Sequence, residues 1–208
     1  DKRRDEFAQI ISEEMGAPIK VARGAQFSSG KVHFVNTLKV IDDFSFSEVH
    51  DNITLNKLPI GPVGMITPWN WPLNQMCTKI ASAIAAGTSF VLKPSEITPG
   101  AAQLFAEVVD KTSMPKGMFN LIHGYGATVG KAMSQHNDLE MISFTGSTRA
   151  GIDIQKTAAD TIKRVSLELG GKSPNIILDD VDLEKAVNMG MKQCFFNTGQ
   201  SCSRLLGC

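Results

Sequence analysis

Val63-Gly64-Met65-Ile66-Thr67-Pro68-Trp69-Asn70-Trp71-Pro72 is the stretch from which the fold can be read. The apolar run 63–67 predicts a short strand, and the proline-bounded segment after it predicts a crossing into a helix with Pro72 in its first turn. Leu73, Met76, Ile80 and Ile84 recur at helical spacing, and Gly87 stops the run. The same unit then repeats. Strands are expected at 90–93, 119–122, 141–144, 164–167 and 175–178. Between them lie a helix opened by Thr98 as cap and Pro99 at its first position, a short helix over about 127–135, and another over about 148–161. Asp182 caps a last helix reaching about Phe195. Short apolar strands alternating with helices predict an α/β fold, a parallel sheet with helices on both faces. Ligands of such sheets bind beyond the carboxyl ends of the strands. Four polar or glycine-rich segments, 67–71, 93–96, 124–130 and 145–149, are expected to share that edge.

Upstream the pattern is different. Phe7, Ile10, Ile11 and Met15 share one helical face that Gly16 ends. A second helical segment is expected over about 18–43, weakened by Gly24 and Gly30, and an extended one near 53–60. The first 60 residues hold no chemical motif and are expected to pack against something larger. The expected division is therefore 1–60 as a helical segment with a linker strand, 61–181 as the main α/β domain, and 182–208 as the start of another domain.

The 208 residues are 42% hydrophobic and 20% charged, a globular composition. With 21 basic and 21 acidic residues, nothing in the charge calls for a nucleic-acid or membrane-surface partner. The cysteines at 77, 194, 202 and 208 form no CxxC pair, and no cysteine–histidine cluster has metal spacing, so no metal is expected. A reducing compartment, the cytoplasm, is the expected location, since no targeting segment is visible. The missing initial methionine and the abrupt helical start are read as a sign of further chain upstream.

Several segments can carry chemistry, and each has a plainer alternative. Gly124 to Gly130 contains Gly-x-Gly with a third glycine further on, which fits dinucleotide contact or an ordinary glycine turn. Phe144-Thr145-Gly146-Ser147-Thr148 ends a strand and opens a helix, fitting a pyrophosphate cradle or a routine hydroxyl cap. Lys93-Pro94-Ser95-Glu96 fits ribose recognition or a solvated ion pair. A carboxylate at Glu96 would repel the extra phosphate of NADP, which favours NAD. Asn70 can aim an amide donor at a developing oxyanion, or cap a helix. Cys202 follows Asn197-Thr198-Gly199-Gln200-Ser201, a polar setting that predicts an exposed thiol, whereas Cys77 and Cys194 read as packing residues. Glu168, between leucines and before Gly170-Gly171, is expected to be partly buried, with a raised pKa that suits a general base.

Five motifs in register carry a family resemblance. They are Ile66 to Pro72, Lys93 to Glu96, Phe144 to Thr148, Leu167-Glu168-Leu169-Gly170-Gly171-Lys172-Ser173-Pro174, and Asn197 to Cys202. Over nearly its whole length the chain resembles the NAD(P)-dependent aldehyde dehydrogenases. The resemblance implies the atypical Rossmann-like coenzyme domain of that family and oxidation of an aldehyde to a carboxylic acid. By the same resemblance Cys202 is the nucleophile, Glu168 the general base and Asn70 an oxyanion donor. Thr67, Pro68, Trp69, Lys93, Ser95, Glu96, Gly126, Gly130, Phe144, Gly146, Ser147, Leu169 and Gly170 would bind the coenzyme, NAD rather than NADP. Family members are homodimers or homotetramers.

The resemblance also implies further chain on both sides, including the rest of the substrate tunnel. The tail from Ser203 to Cys208 departs from the family's pattern. Little or no turnover by these 208 residues alone, and exposed apolar surface, are therefore expected. Two other readings remain at this stage: a non-catalytic coenzyme-binding or assembly protein, and a relative that passes its acyl group to coenzyme A. The carboxylate at 168, suited to activating water, argues against the second.

Overall fold

The computed structural model describes residues 2–203, so the expectations for Cys208 and the tail at 204–208 lie outside the described residues. Five parallel strands form the central sheet: β3 (Val63–Ile66), β4 (Phe90–Lys93), β5 (Phe119–Leu121), β6 (Met141–Gly146) and β7 (Arg164–Leu169), in the order β5-β4-β3-β6-β7. The sixth strand expected at 175–178 does not form. Ile176, Ile177 and Leu178 are exposed and pair with no described strand. An apolar run records a need for burial without naming the surface that meets it.

Strand periodicity sorts the core onto two faces. Val63, Met65, Phe90 and Leu92 face one way, into a cluster with α1 (Arg4–Met15), α4 (Pro72–Ala85) and α5 (Gly100–Val109). Ile66, Ile142 and Phe144 face the other way, onto Met133 of α6 (Lys131–Gln135) and Ile154 of α7 (Thr148–Ala159). The parallel sheet with helices on both faces is thus as read from the sequence. Gly16 ends α1 at φ 76 and Gly87 follows α4 at φ 71, both left-handed conformations that glycine adopts without strain.

The second helical segment is unbroken but not regular. A short α2 (Ile19–Val21) passes through a π-helical turn, Ala22–Gln26, into α3 (Phe27–Asp43). Gly30 serves packing rather than weakness. A Cβ there would lie 2.9 Å from Leu73 Cβ, so the glycine lets α3 approach α4 closely. The extended stretch near 53 is half of a hairpin, β1 (Ser47–His50) with β2 (Ile53–Asn56), turned at Asp51 with φ 52.

Thr98 does not cap α5. Its hydroxyl is buried with no partner, while Glu14 of α1 accepts from Gly100 N–H at 2.8 Å. Burial pushes the Glu14 carboxyl up, against those backbone donors. Apolar side chains stay uncovered along α3, the hairpin and α8 (Leu183–Phe195), Leu38, Val49 and Met189 among them. Among the described residues no helix is long and apolar enough to cross a membrane.

Candidate active site

Because the five strands are parallel, their carboxyl ends lie along one edge. The register Thr145↔Glu168 and Gly146↔Leu169 sets the end of β7 beside the Phe144–Thr148 segment. A cleft of about 440 Å³ opens there. Its walls bring together all three expected catalytic residues, Asn70, Glu168 and Cys202, although they lie far apart in sequence. Of the expected coenzyme contacts, Pro68, Trp69, Gly146, Ser147, Leu169 and Gly170 also line it.

The other expected contacts sit outside that cleft. Thr67, Lys93 and Ser95 are buried at the neighbouring ends of β3 and β4. Lys93, 2% exposed at its side chain, donates to Glu96 at 2.9 Å, so the ammonium end of the pair is buried while the carboxylate faces solvent. The ammonium holds the Glu96 carboxyl below its ordinary range. Gly126 and Gly130 belong to a π-helical turn beyond β5. Phe144 is a core side chain, and its ring explains Gly146, where a Cβ would fall 2.5 Å from the ring edge.

Local structure decides between the alternatives for several side chains. Trp71, not Asn70, occupies the N-cap position of α4, and no side chain caps it. Asn70 Oδ1 is buried without a hydrogen-bond partner. Trp71 donates from Nε1 to Ser201 Oγ at 2.8 Å and packs on Phe196, with ring centroids 6.1 Å apart, which ties the crossing after β3 to the cysteine loop. Ser147 does cap α7, accepting from Ala150 N–H at 3.3 Å, and still lines the cleft. Cys202 is exposed, Cys194 half-buried, and Cys77 buried with its thiol pushed up to about 12 by desolvation. Glu168 corrects an expectation: it is exposed, not partly buried. It lies on the edge strand β7, where alternate side chains face solvent.

Two side chains near the site carry no signal that a reading by motif would pick up. Lys79 is the one charged residue of α4, which is the only hint in the sequence. It donates to Ser143 Oγ at 2.9 Å, and burial pushes its pKa down to about 8 against the attraction of Glu168. Gln26, fully buried on the π-helical turn, reaches both Asn70 and Asn197.

A second hollow, about 560 Å³, meets the first at Cys202. It is bounded by Trp71, Phe196, Asn74 and Lys192, and Asn74 is held by His33 at 2.8 Å. The two hollows share Gln75, Ser201 and Cys202, so the thiol borders both. Two glycines test whether a coenzyme fits. A Cβ at Gly126 or Gly170 would meet no atom of the chain within 4 Å. The space in front of both is open, as close approach of a coenzyme would need. Among the described residues no group of His, Cys, Asp and Glu could hold a metal ion.

Comparison with known proteins identifies the family and the fold. The sequence model of the Aldehyde dehydrogenase family matches residues 1–205. The 3-succinoylsemialdehyde-pyridine dehydrogenase of Pseudomonas sp. is 48% identical over 98% of this chain and 43% of its own length. A crystal structure of aldehyde dehydrogenase from Bartonella henselae superposes with a TM-score of 0.94 at 52% identity, over 98% of this chain and 44% of that one. A cysteine-to-alanine mutant of aldehyde dehydrogenase C from Pseudomonas syringae, complexed with NAD+ and octanal, gives a TM-score of 0.94 at 47% identity, over 98% and 42%. The chain thus spans less than half the length of these relatives.

Proposed function

This chain belongs to the Aldehyde dehydrogenase family, and we propose that it carries the NAD-binding edge and the nucleophile of an enzyme oxidising aldehydes to carboxylic acids. The observation that carries the reading is the convergence of Cys202, Asn70 and Glu168 on one cleft at the carboxyl edge of the sheet. NAD is the coenzyme the residues fit. Gly126 and Gly170 leave room for close approach, the N-terminus of α7, whose cap Ser147 lines the cleft, suits a pyrophosphate, and Lys93 and Glu96 suit a ribose. Glu96 also disfavours the added phosphate of NADP. The related enzymes solved with NAD+ support the same choice.

Each residue's role follows from its chemistry. The Cys202 thiolate attacks the aldehyde carbon, forming a C–S bond while the carbonyl oxygen takes the negative charge. The Asn70 amide and the Cys202 backbone N–H donate to that oxygen. Bound NAD would supply the acceptor for the hydride of the tetrahedral carbon. A thioester then remains on Cys202. Glu168, exposed at the cleft, takes a proton from water, whose oxygen attacks the thioester. The C–S bond breaks, the acid departs and the thiolate returns. The hollow beside Trp71 and Phe196, which also borders Cys202, supplies a separate approach for the aldehyde.

The test is intact-mass analysis of the chain after incubation with NAD and butanal and quenching in acid. An acyl adduct on Cys202 that forms only when NAD is present supports the proposal. Absence of any adduct, with Cys202 still open to alkylation, contradicts it. Release of that adduct by coenzyme A but not by water would instead favour an acylating relative.

A further inference from the structure

We propose that Gln26 is a positioning residue, holding the oxyanion donor Asn70 and the turn that leads to Cys202 in one register. The inference rests on the catalytic roles given above to Asn70 and Cys202. Gln26 lies in a segment with no chemical motif, on the π-helical turn between α2 and α3, and none of its surface is exposed. A π-helical turn inserts an extra residue into a helix and re-aims the side chains around it. Here the turn carries the Gln26 amide into the seam between the crossing after β3 and the cysteine loop.

The contacts are specific. Gln26 Nε2 donates to Asn197 Oδ1 at 2.9 Å and to the backbone oxygen of Asn70 at 3.1 Å, and touches Met15 Sδ at 3.3 Å. Asn197 Nδ2 donates to the same Asn70 oxygen at 2.9 Å and to Gln200 O at 3.2 Å. One carbonyl, that of Asn70, is therefore gripped by two buried amides. The three residues, two by their side chains and Asn70 by its carbonyl, come from positions 26, 70 and 197, so no local element could hold this arrangement.

What is held is strained. Asn197 and Thr198 have φ of 55 and 56, left-handed conformations that residues bearing a Cβ disfavour. Asn tolerates that region better than Thr, and the Asn197 side chain is fully engaged in keeping it there. Gln200 Nε2 adds a bond to Met15 O at 3.4 Å, fixing the far end of the turn to the same N-terminal helix.

The consequence is catalytic. Asn70 and the Cys202 backbone must both reach one oxygen atom, and misplacement by about an ångström can cost on the order of a hundredfold in rate. The grip is on the Asn70 main chain, which leaves its side chain unbound by the network. Asn70 Oδ1 has no partner. Replacing Gln26 by an apolar residue leaves Asn197 Oδ1 buried without its donor and loosens both partners at once.

The test measures how well butanal, with NAD present, protects Cys202 from iodoacetamide, since protection reports the covalent adducts on Cys202, all of which arise through the tetrahedral one. Gln26→Leu should weaken protection roughly tenfold, with the rise in melting temperature caused by NAD unchanged. In the Gln26→Leu/Asn70→Ala double variant protection should be no weaker than in Asn70→Ala alone. Gln26→Glu separates a donor from a space-filler. It should be as impaired as Gln26→Leu near pH 8, where a carboxylate cannot donate, and recover toward the parent near pH 6 as burial favours the protonated acid. Gln26→Glu carries the comparison by itself if Gln26→Leu fails to fold. Additive losses in the double variant, Gln26→Glu equal to the parent at both pH values, or unchanged protection in Gln26→Leu would each overturn the inference. A parent that NAD stabilises but butanal does not protect overturns it as well, with the coenzyme assignment intact. A parent that NAD does not stabilise fails at the proposed function instead.

Discussion

Replacing Lys79 by methionine should make the protein more stable near neutral pH, by an amount that fades as the solution becomes alkaline. Lys79 stands in a core-facing helix with a pKa pushed down to about 8 by burial, from an ordinary 10.5, and Glu168 only partly offsets the shift. A lysine whose folded pKa lies below its unfolded one costs stability while charged. Between the two values the unfolded chain binds more protons, so stability rises with pH across that window. At about 1.4 kcal/mol per pKa unit the full effect is roughly 3 kcal/mol. The hydrogen bond to Ser143, about 1 kcal/mol, is lost in the variant and works in the opposite direction. Lys79→Met should therefore exceed the parent by about 2 kcal/mol at pH 7 and fall slightly below it near pH 10.5. Urea unfolding of both proteins across that range measures the difference, and groups common to both cancel. A difference that stays constant over the window would refute the reasoning. A second variant, Glu168→Gln, removes the attraction that favours the ammonium and should carry the lower edge of the window to still lower pH.

Other consequences can be checked with single substitutions. Asn70→Ala should slow adduct formation at Cys202 on the order of a hundredfold in a quenched-flow assay, while the affinity for NAD by calorimetry stays within about twofold. Gly30→Ala should destabilise by about 1–3 kcal/mol in urea unfolding despite its better helix propensity, because the new methyl meets Leu73. Glu14→Gln should be more stable than the parent at neutral pH, since it keeps an acceptor for Gly100 N–H without a charge. The folded pKa of Glu14 is raised, so the parent loses stability as pH rises from the ordinary carboxylate value through that folded pKa. The gap between the two melting curves should close below that ordinary value. Among the described cysteines, iodoacetamide followed by peptide mapping should label Cys202 first, Cys194 more slowly, and Cys77 only on unfolding.

The sheet could be read from the sequence because its strands are short stretches with continuous or alternating apolar residues near proline or glycine, and the helices between them present apolar stripes. The same logic failed at 175–178, where apolar residues have no described strand to join, and at β1, whose Ser-Glu-Val-His sequence has no apolar alternation to detect. The site was legible because a parallel sheet delivers every strand's carboxyl end to one edge, so residues separated by a hundred positions can be expected to meet. Asn70 could be placed that way, whereas Cys202 follows a helix and is singled out by its polar setting and the family resemblance. The setting of Glu168 could not, since flanking leucines say nothing about whether a strand lies at the edge of its sheet. Gln26 and Lys79 escaped for a related reason. Their significance comes from what they touch across the fold, Asn197 in one case and Ser143 with Glu168 in the other. Thr98 shows the converse: a sound local cap signal displaced by Glu14, a carboxylate from a distant helix.

The central claim is that the carboxyl edge of this sheet binds NAD. Thermal unfolding followed by far-UV circular dichroism, with and without the coenzyme, tests it most directly. At a hundredfold excess over the dissociation constant, binding stabilises by about 2.7 kcal/mol, which for a chain of this size moves the midpoint up by roughly 5–10 °C. The account predicts that upward shift, growing with NAD concentration. A cooperative transition whose midpoint NAD leaves unmoved would contradict it.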